Sequence, residues 1–187
     1  ILIMYLGNFI KNLEKKYSKT YFSGIAFNSN QVKKDNIFFA IKGEKFDGNR
    51  YIPIAIKKGA KIIISETKVK YKNESIIYLR NENPRKLLAE ISYKLINKIP
   101  KNLFAVTGTN GKSSITDFYY QLLSLNKKKI AAIGTIGLQT YNQKQVVENT
   151  TLDPIKLSNI FKSLDKKKIQ NVILEASSHG LKQNRLD

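Results

Sequence analysis

The sequence contains no cysteine and no tryptophan, one histidine, one methionine and four prolines in 187 residues. Without cysteine there can be no disulfide framework, no thiolate metal site and no cysteine nucleophile. Long apolar runs are missing too. The longest are a few residues, against the ~20 that a membrane-spanning helix needs, so no membrane partner is expected. Residues 1–10, ILIMYLGNFI, are apolar but lack a basic leader and a small-residue cleavage site, which argues against a signal peptide. Met4 is a candidate start, and Leu6, Phe9, Ile10 and Leu13 are spaced like one face of a helix. These absences predict a soluble cytoplasmic protein.

Acidic residues are also scarce, at 14 Asp and Glu against 33 Lys and Arg, for a formal net charge of +19. Such an excess raises the question of a nucleic-acid partner. Only Arg50, Arg80, Arg85 and Arg185 are arginine, whereas Asn (18) and Ile (25) are abundant alongside Lys. Lys, Asn and Ile can all be encoded by A and T alone, so a biased genome accounts for the excess. The lysine clusters, such as Lys127 to Lys129 and Lys166 to Lys168, fall at predicted helix ends and turns. They neither run along one helix nor alternate with stacking aromatics. They read as solvated surface with no nucleic-acid partner, and their positive field would attract a polyphosphate substrate. A basic nucleic-acid-binding module stays open as the rival class, and it predicts steeply salt-dependent binding.

With 42% hydrophobic residues the chain can form one ordinary domain or two small ones. Short apolar runs alternate with helical patterns. Ile37 to Ile41, Ile62 to Ile64 and Ile76 to Leu79 read as strands, with a helix from about Tyr51 to Lys58 closed by Gly59. Asn83 as N-cap and Pro84 at the first helical position open a helix carrying Leu87, Leu88, Ile91 and Leu95. The stretch 97–100 is the expected domain boundary, giving domains 1–99 and 100–187. Beyond it, Leu103 to Val106, Ile130 to Ile133 and Val172 to Leu174 read as strands. A helix from Ser113 to about Leu125 should turn Ile115, Phe118, Tyr119, Leu122 and Leu123 inward. Asp153-Pro154 should cap another, with Leu157, Ile160, Phe161 and Leu164 inward. Continuous apolar strands between amphipathic helices predict α/β architecture twice over, each parallel sheet covered on both faces. Three strands make a poor second domain, so the chain is expected to be the front part of something longer.

The strongest chemical signal is Thr107-Gly108-Thr109-Asn110-Gly111-Lys112-Ser113-Ser114, placed between a predicted strand and a predicted helix. Glycines let the backbone fold tightly, so that successive N–H groups and the helix N-terminus face a phosphate chain. Lys112 can neutralise the β- and γ-phosphates and the Ser113 hydroxyl can ligate Mg²⁺. The longer Walker form has glycine where Val106 stands, so the match is to the shorter G-x-x-G-K-S. Gly108, Thr109, Asn110, Gly111, Lys112, Ser113 and Ser114 are therefore the candidate ATP site. Glu175, at the carboxyl end of a predicted strand in the same domain, is the candidate Mg²⁺ carboxylate. The single His179 follows Ser177-Ser178, but adjacent residues of one loop do not make a nucleophile–base pair, and no G-x-S-x-G is present.

Four segments resemble the Mur ligases of peptidoglycan synthesis, and within them the branch that adds the third amino acid. Asn28-Ser29-Asn30 with Asp35 to Gly43, continued by Phe46-Asp47-Gly48 and Tyr51-Ile52-Pro53, is similar to the family's D-S-R…G-D-x-F-x-A-x-x-G stretch. Thr107 to Ser114 is similar to T-G-T-N-G-K-T-T, Asn149-Thr150-Thr151 to the N-T-T motif, and Glu175 to Arg185 to E-x-S-S-H-G-L-x-Q-x-R. The resemblance implies a small first α/β domain that grips the UDP part of the substrate. The first part of a P-loop, mostly parallel-sheet ATPase domain follows it. It implies uridine contacts at Phe27, Ser29, Glu44, Lys45 and Phe46. It implies muramoyl-dipeptide and diphosphate contacts at Asn149, Thr150, Thr151, Ser177, Gln183 and Arg185. The planar Arg185 guanidinium suits a pair of anionic oxygens. Lys112 and Glu175 become catalytic, and Ser113 with Glu175 the metal ligands. The implied reaction is ATP-dependent amide formation through an acyl phosphate, with UDP-N-acetylmuramoyl-dipeptide, ATP and a diamino acid as partners and Mg²⁺ as cofactor.

Asn28 and Asn30 replace the family's Asp and Arg, and Ser113-Ser114 its two threonines. The family's later T-N-x-x-x-D-H-x-x-x-H segment, its carbamylated lysine and its amino-acid-selecting domain do not occur within residues 1–187. The expectation is therefore binding without ligation by this chain alone. Other ligases of the superfamily, including the D-Ala-D-Ala-adding and folylpolyglutamate types, and a non-catalytic fragment or split half remain the alternatives.

Overall fold

The computed structural model describes residues 4–43, 46–69, 73–96, 98–141, 143–147 and 149–187. The chain divides into two compact units, Ile1–Ile91 and Ser92–Asp187.

In the first unit, strands β1 (Gly24–Ala26), β2 (Asn36–Ala40), β3 (Ala60–Ser65) and β4 (Ile77–Arg80) form one parallel sheet in that order. All five residues of β2 are buried, as a strand covered on both faces requires. Helix α1 (Ile52–Lys57) has Pro53 in its first turn and is followed by Gly59 at φ +97°. Helix α2 (Pro84–Ile96) begins where the Asn83 side chain accepts the Lys86 N–H at 3.0 Å. The division between the units falls within this helix.

The N-terminal helix that the spacing of Leu6, Phe9, Ile10 and Leu13 suggests does not form. Leu6–Asn8 makes a single 3₁₀ turn, and Asn12 takes a left-handed φ of +56° that breaks any helical run. Leu6 and Phe9 are still buried, with Phe9 edge-on to Phe22 at 5.3 Å. The apolar spacing reports burial here, not helix.

The second unit holds a five-stranded sheet in the order β5-β9-β6-β7-β8. Strands β5 (Asn102–Val106), β9 (Asn171–Glu175) and β6 (Ile130–Gly134) run parallel. β7 (Gly137–Thr140) and β8 (Gln143–Gln145) extend the sheet by antiparallel pairing. The sheet is thus mixed, and two short strands join the three legible from apolar runs. Alternate residues of β6 and β9 face opposite sides. Ala131, Ile133, Val172 and Leu174 meet Leu157, Phe161 and Leu164 of α4 (Pro154–Lys166), while Ile130, Ala132 and Ile173 meet Tyr120 of α3 (Lys112–Leu125). Asp153 caps α4 through the Lys156 N–H at 2.9 Å.

Coverage of this sheet is uneven. On α3 the inward residues are Thr116 and Tyr120, with Tyr119 and Leu123 partly buried, whereas Ile115, Phe118 and Leu122 are exposed. Five apolar positions occupy more than one face of a single helix, and only one face can meet the sheet. Edge strand β5 likewise leaves Leu103 and Phe104 exposed. The expectation of a sheet covered on both faces fails at this edge. Among the described residues no helix is long and apolar enough to cross a membrane.

Candidate nucleotide and substrate site

Three parallel strands of the second unit end side by side, and each delivers one part of the site. β5 ends at Val106 and runs into the glycine-rich loop. β9, its neighbour, ends at Glu175, which pairs with Val106. β6, on the other side of β9, ends at Gly134, and Thr135 follows it. The carboxyl edge of such a sheet is where open α/β folds bind ligands.

The loop 107–111 is exposed and leads directly into α3. Gly111, at φ +80°, is the N-cap, and a Cβ placed on it would meet nothing within 4 Å. No N-cap side chain takes up the first N–H groups of the helix. The Lys112 ammonium folds back on the loop, donating to the carbonyls of Gly108 at 2.7 Å and Thr109 at 3.3 Å. A helix start without a side-chain cap, a left-handed glycine and a lysine on loop carbonyls fit a polyphosphate chain. Ser113 lies in the first turn of α3, and Ser114 beside it is exposed.

Glu175 is 2% exposed. Its Oε1 accepts the Thr135 N–H at 3.1 Å and its Oε2 accepts the Thr135 hydroxyl at 2.9 Å. Among the described residues it forms no ion pair. A buried carboxylate with neutral donors only is a place where a cation would be stabilising. No cluster of three His, Cys, Asp or Glu able to hold a metal occurs among the described residues. The Ser113 hydroxyl and the Glu175 carboxylate are oxygen donors of the kind Mg²⁺ takes.

Asn149 is exposed, Thr150 half-buried and Thr151 buried. Thr150 Oγ1 lies 3.1 Å from Thr135 Oγ1. Thr151 Oγ1 donates to the Glu175 carbonyl at 3.0 Å and accepts the Ser177 N–H at 2.8 Å. Its hydroxyl is committed to that carbonyl, so Ser177 Oγ is the donor in the 3.1 Å contact between the two side chains. Ser177 Oγ in turn accepts the Gly180 N–H at 3.1 Å, capping the short helix α5 (Ser178–Lys182). Arg185 donates to the Thr151 carbonyl and to Gln183, and Gln183 contacts His179 across 2.7 Å. The structure thus brings Thr150, Thr151, Ser177, Gln183 and Arg185 into one network around Glu175. Thr135 joins it although nothing in the sequence marks it.

The candidate residues of the first unit sit at the carboxyl edge of its sheet. Phe27 and Ser29 follow β1, with Ser29 buried in a 3₁₀ turn that Asn28 caps by accepting the Asn30 N–H at 2.9 Å. Phe46 lies in the loop after β2 and is 70% exposed. Glu44 and Lys45 lie outside the described residues.

Parallel strands of which the first feeds a glycine-rich loop and helix, with a carboxylate on the adjacent strand, have the strand–loop–helix arrangement of P-loop folds. Comparison narrows this further. The profile of the Mur ligase middle domain matches residues 106–187 and that of the Mur ligase family, catalytic domain, matches residues 21–100. The chain belongs to the Mur ligase family. It is 40% identical over 179 residues to the UDP-N-acetylmuramoyl-L-alanyl-D-glutamate–2,6-diaminopimelate ligase of Rickettsia prowazekii (strain Madrid E), covering 94% of this chain and 37% of that protein. To the ligase of the same name from Buchnera aphidicola subsp. Schizaphis graminum it is 38% identical, covering 95% and 36%. A solved ligase of that name superposes with a TM-score of 0.79 at 26% identity, over 99% of this chain and 38% of the other. A MurF ligase from Thermotoga maritima in complex with ADP gives 0.54 at 25% identity, over 82% and 32%. The chain spans little more than a third of the length of the relatives it matches.

Proposed function

We propose that this chain is the UDP-substrate-gripping and ATP-binding part of a ligase that joins 2,6-diaminopimelate to UDP-N-acetylmuramoyl-L-alanyl-D-glutamate. One observation carries the reading. A phosphate loop, a buried carboxylate and a hydroxyl-lined loop meet at the ends of β5, β9 and β6, in a chain 40% identical to a ligase of that name.

In this reading a carboxylate oxygen of the dipeptide attacks the γ-phosphorus of ATP and ADP leaves. The amine nitrogen of the incoming amino acid then attacks the acyl carbon, and phosphate departs with the carboxylate oxygen. The N–H groups of 108–114 hold the phosphates, and the Lys112 ammonium leaves its two carbonyls to neutralise the β- and γ-oxygens. Ser113 and Glu175 would hold Mg²⁺, which would offset phosphate charge. Phe27, Ser29, Glu44, Lys45 and Phe46 receive the uridine nucleotide. Asn149, Thr150, Thr151, Ser177, Gln183 and Arg185 receive the diphosphate and muramoyl dipeptide. ATP and UDP-sugar substrates assign this work to the cytoplasm. The domain boundary is placed between residues 99 and 100, beyond the end of α2, because a continuous helix does not itself divide domains.

Calorimetry with the purified chain tests the reading. Micromolar binding of UDP-N-acetylmuramoyl-L-alanyl-D-glutamate, and separate Mg²⁺-dependent binding of ATP, are expected. Absence of both, with salt-sensitive binding of single-stranded DNA in their place, would overturn it in favour of a nucleic-acid module.

A further inference from the structure

We propose that Thr135 is a positioning residue that locks the Glu175 carboxylate for metal and ties it, through Thr150, to the substrate loop; this rests on the reading of Glu175 as the carboxylate that holds nucleotide-borne Mg²⁺. Thr135 binds both oxygens of one carboxylate from a single residue, its N–H on Oε1 at 3.1 Å and its hydroxyl on Oε2 at 2.9 Å. Two donors from one residue fix the plane of the carboxylate as well as its position. Each oxygen keeps a second lone pair, so the clamp orients Glu175 without exhausting it.

The turn that carries Thr135 is shaped to the carboxylate. Gly134 and Gly137 pair across the hairpin, leaving Thr135 and Ile136 as its tip. A Cβ on Gly134 would lie 2.3 Å from Glu175 Oε1 and 2.5 Å from its Cδ. Only glycine lets the chain pass so close, and the buried carboxylate has no room to retreat.

Hydroxyl arithmetic gives the relay a direction. Thr135 has one hydroxyl proton, and Glu175 takes it. In the 3.1 Å contact between Thr135 Oγ1 and Thr150 Oγ1, the donor is therefore Thr150. The relay runs from Thr150 to Thr135 to Glu175, so reorientation of the 149–151 loop is felt at the carboxylate. Groups behind a metal ligand commonly change metal affinity ten- to a hundredfold.

The test uses Mn²⁺ as the probe, titrated by electron paramagnetic resonance into the chain saturated with the non-hydrolysable ATP analogue AMP-PNP. Thr135→Val keeps the N–H and the shape but loses the hydroxyl. It is expected to weaken Mn²⁺ binding about tenfold, to leave AMP-PNP binding in EDTA unchanged, and to add nothing in a Glu175→Gln background. Thr135→Ser should restore the wild-type affinity. Unchanged Mn²⁺ affinity in Thr135→Val while Glu175→Gln loses it would overturn the positioning role alone. Unchanged affinity in Glu175→Gln would overturn the underlying reading, and this proposal with it. Should Thr135→Val fail to fold, Thr150→Val decides, since it cuts only the outer bond. A measurable weakening of Mn²⁺ binding upholds the relay and none removes it.

Discussion

Arg185 donates through Nη1 to the Thr151 carbonyl and through Nε and Nη2 to the Gln183 side-chain oxygen, at 3.0 and 2.7 Å for the latter pair. The loop containing Thr151 and the segment after α5 are thus bound to each other by one guanidinium. Tyr93 adds a second tie, its hydroxyl donating to the Arg185 carbonyl at 2.7 Å and its ring stacking on Phe161. Of the five guanidinium N–H groups, these contacts use three.

Arg185→Lys is expected to fail as a replacement. A lysine ammonium is a point charge on a flexible stem and does not span Thr151 and Gln183 together. Affinity for UDP-N-acetylmuramoyl-L-alanyl-D-glutamate should fall about tenfold or more, the usual cost of losing a charge-assisted bond, with ATP affinity unchanged. Paired calorimetric titrations check this, and equal losses for both ligands would show that Arg185 holds the fold and not the substrate.

Lys112 rests on the Gly108 and Thr109 carbonyls, so its removal disturbs little of the folded chain. Lys112→Met should lower ATP affinity at least tenfold, since a bond between two charged groups contributes about 1.5–3 kcal/mol. The melting temperature should stay within a few degrees of wild type. A large drop in thermal stability with unchanged ATP binding would reverse the assignment.

The parts legible in the sequence are those where one residue type has a single physical use. Gly111 between a strand and a helix, Gly59 after α1, and Asn83 or Asp153 before a proline all mark their positions, and each is found there. β7 and β8 are not legible because Gly137–Thr140 and Gln143–Gln145 are short and carry little apolar signal. Thr135 is not legible because its contact with Glu175 depends on β6 lying beside β9, which no local pattern records. On α3 the limit is the opposite one: apolar spacing says that a face exists, not how much of it finds a partner.

Asp47 gives a pH signature in the loop that holds Phe46. Its carboxylate accepts the Asn49 N–H at 2.9 Å and the Asn49 side-chain amide at 2.8 Å, which holds it below its ordinary value of 3.8. A carboxyl depressed in the folded state contributes stability that is present above its unfolded value and lost as pH falls through the folded one. The Asn49 amide resonance should therefore shift in a single step below pH 3.8, reporting release of the 48–51 turn. Asp47→Asn should abolish that step and keep the turn at neutral pH, because an asparagine oxygen can cap as well.

The two faces of the second unit should answer oppositely to truncation. Leu164 is 1% exposed and packs with Phe161, Val172 and Leu174, so Leu164→Ala should cost about 2–5 kcal/mol and lower the denaturant midpoint clearly. Phe118 and Leu122 are 69% and 58% exposed on the outer side of α3. Phe118→Ser with Leu122→Gln should leave the midpoint nearly unmoved, each change falling within about 0.5 kcal/mol, while reducing the binding of a hydrophobic dye. Substitutions on an open face act on solubility and not on the packed core. If the α3 pair proved as damaging as Leu164→Ala, that face would be covered in solution, and the folded chain would have to be more than the isolated unit.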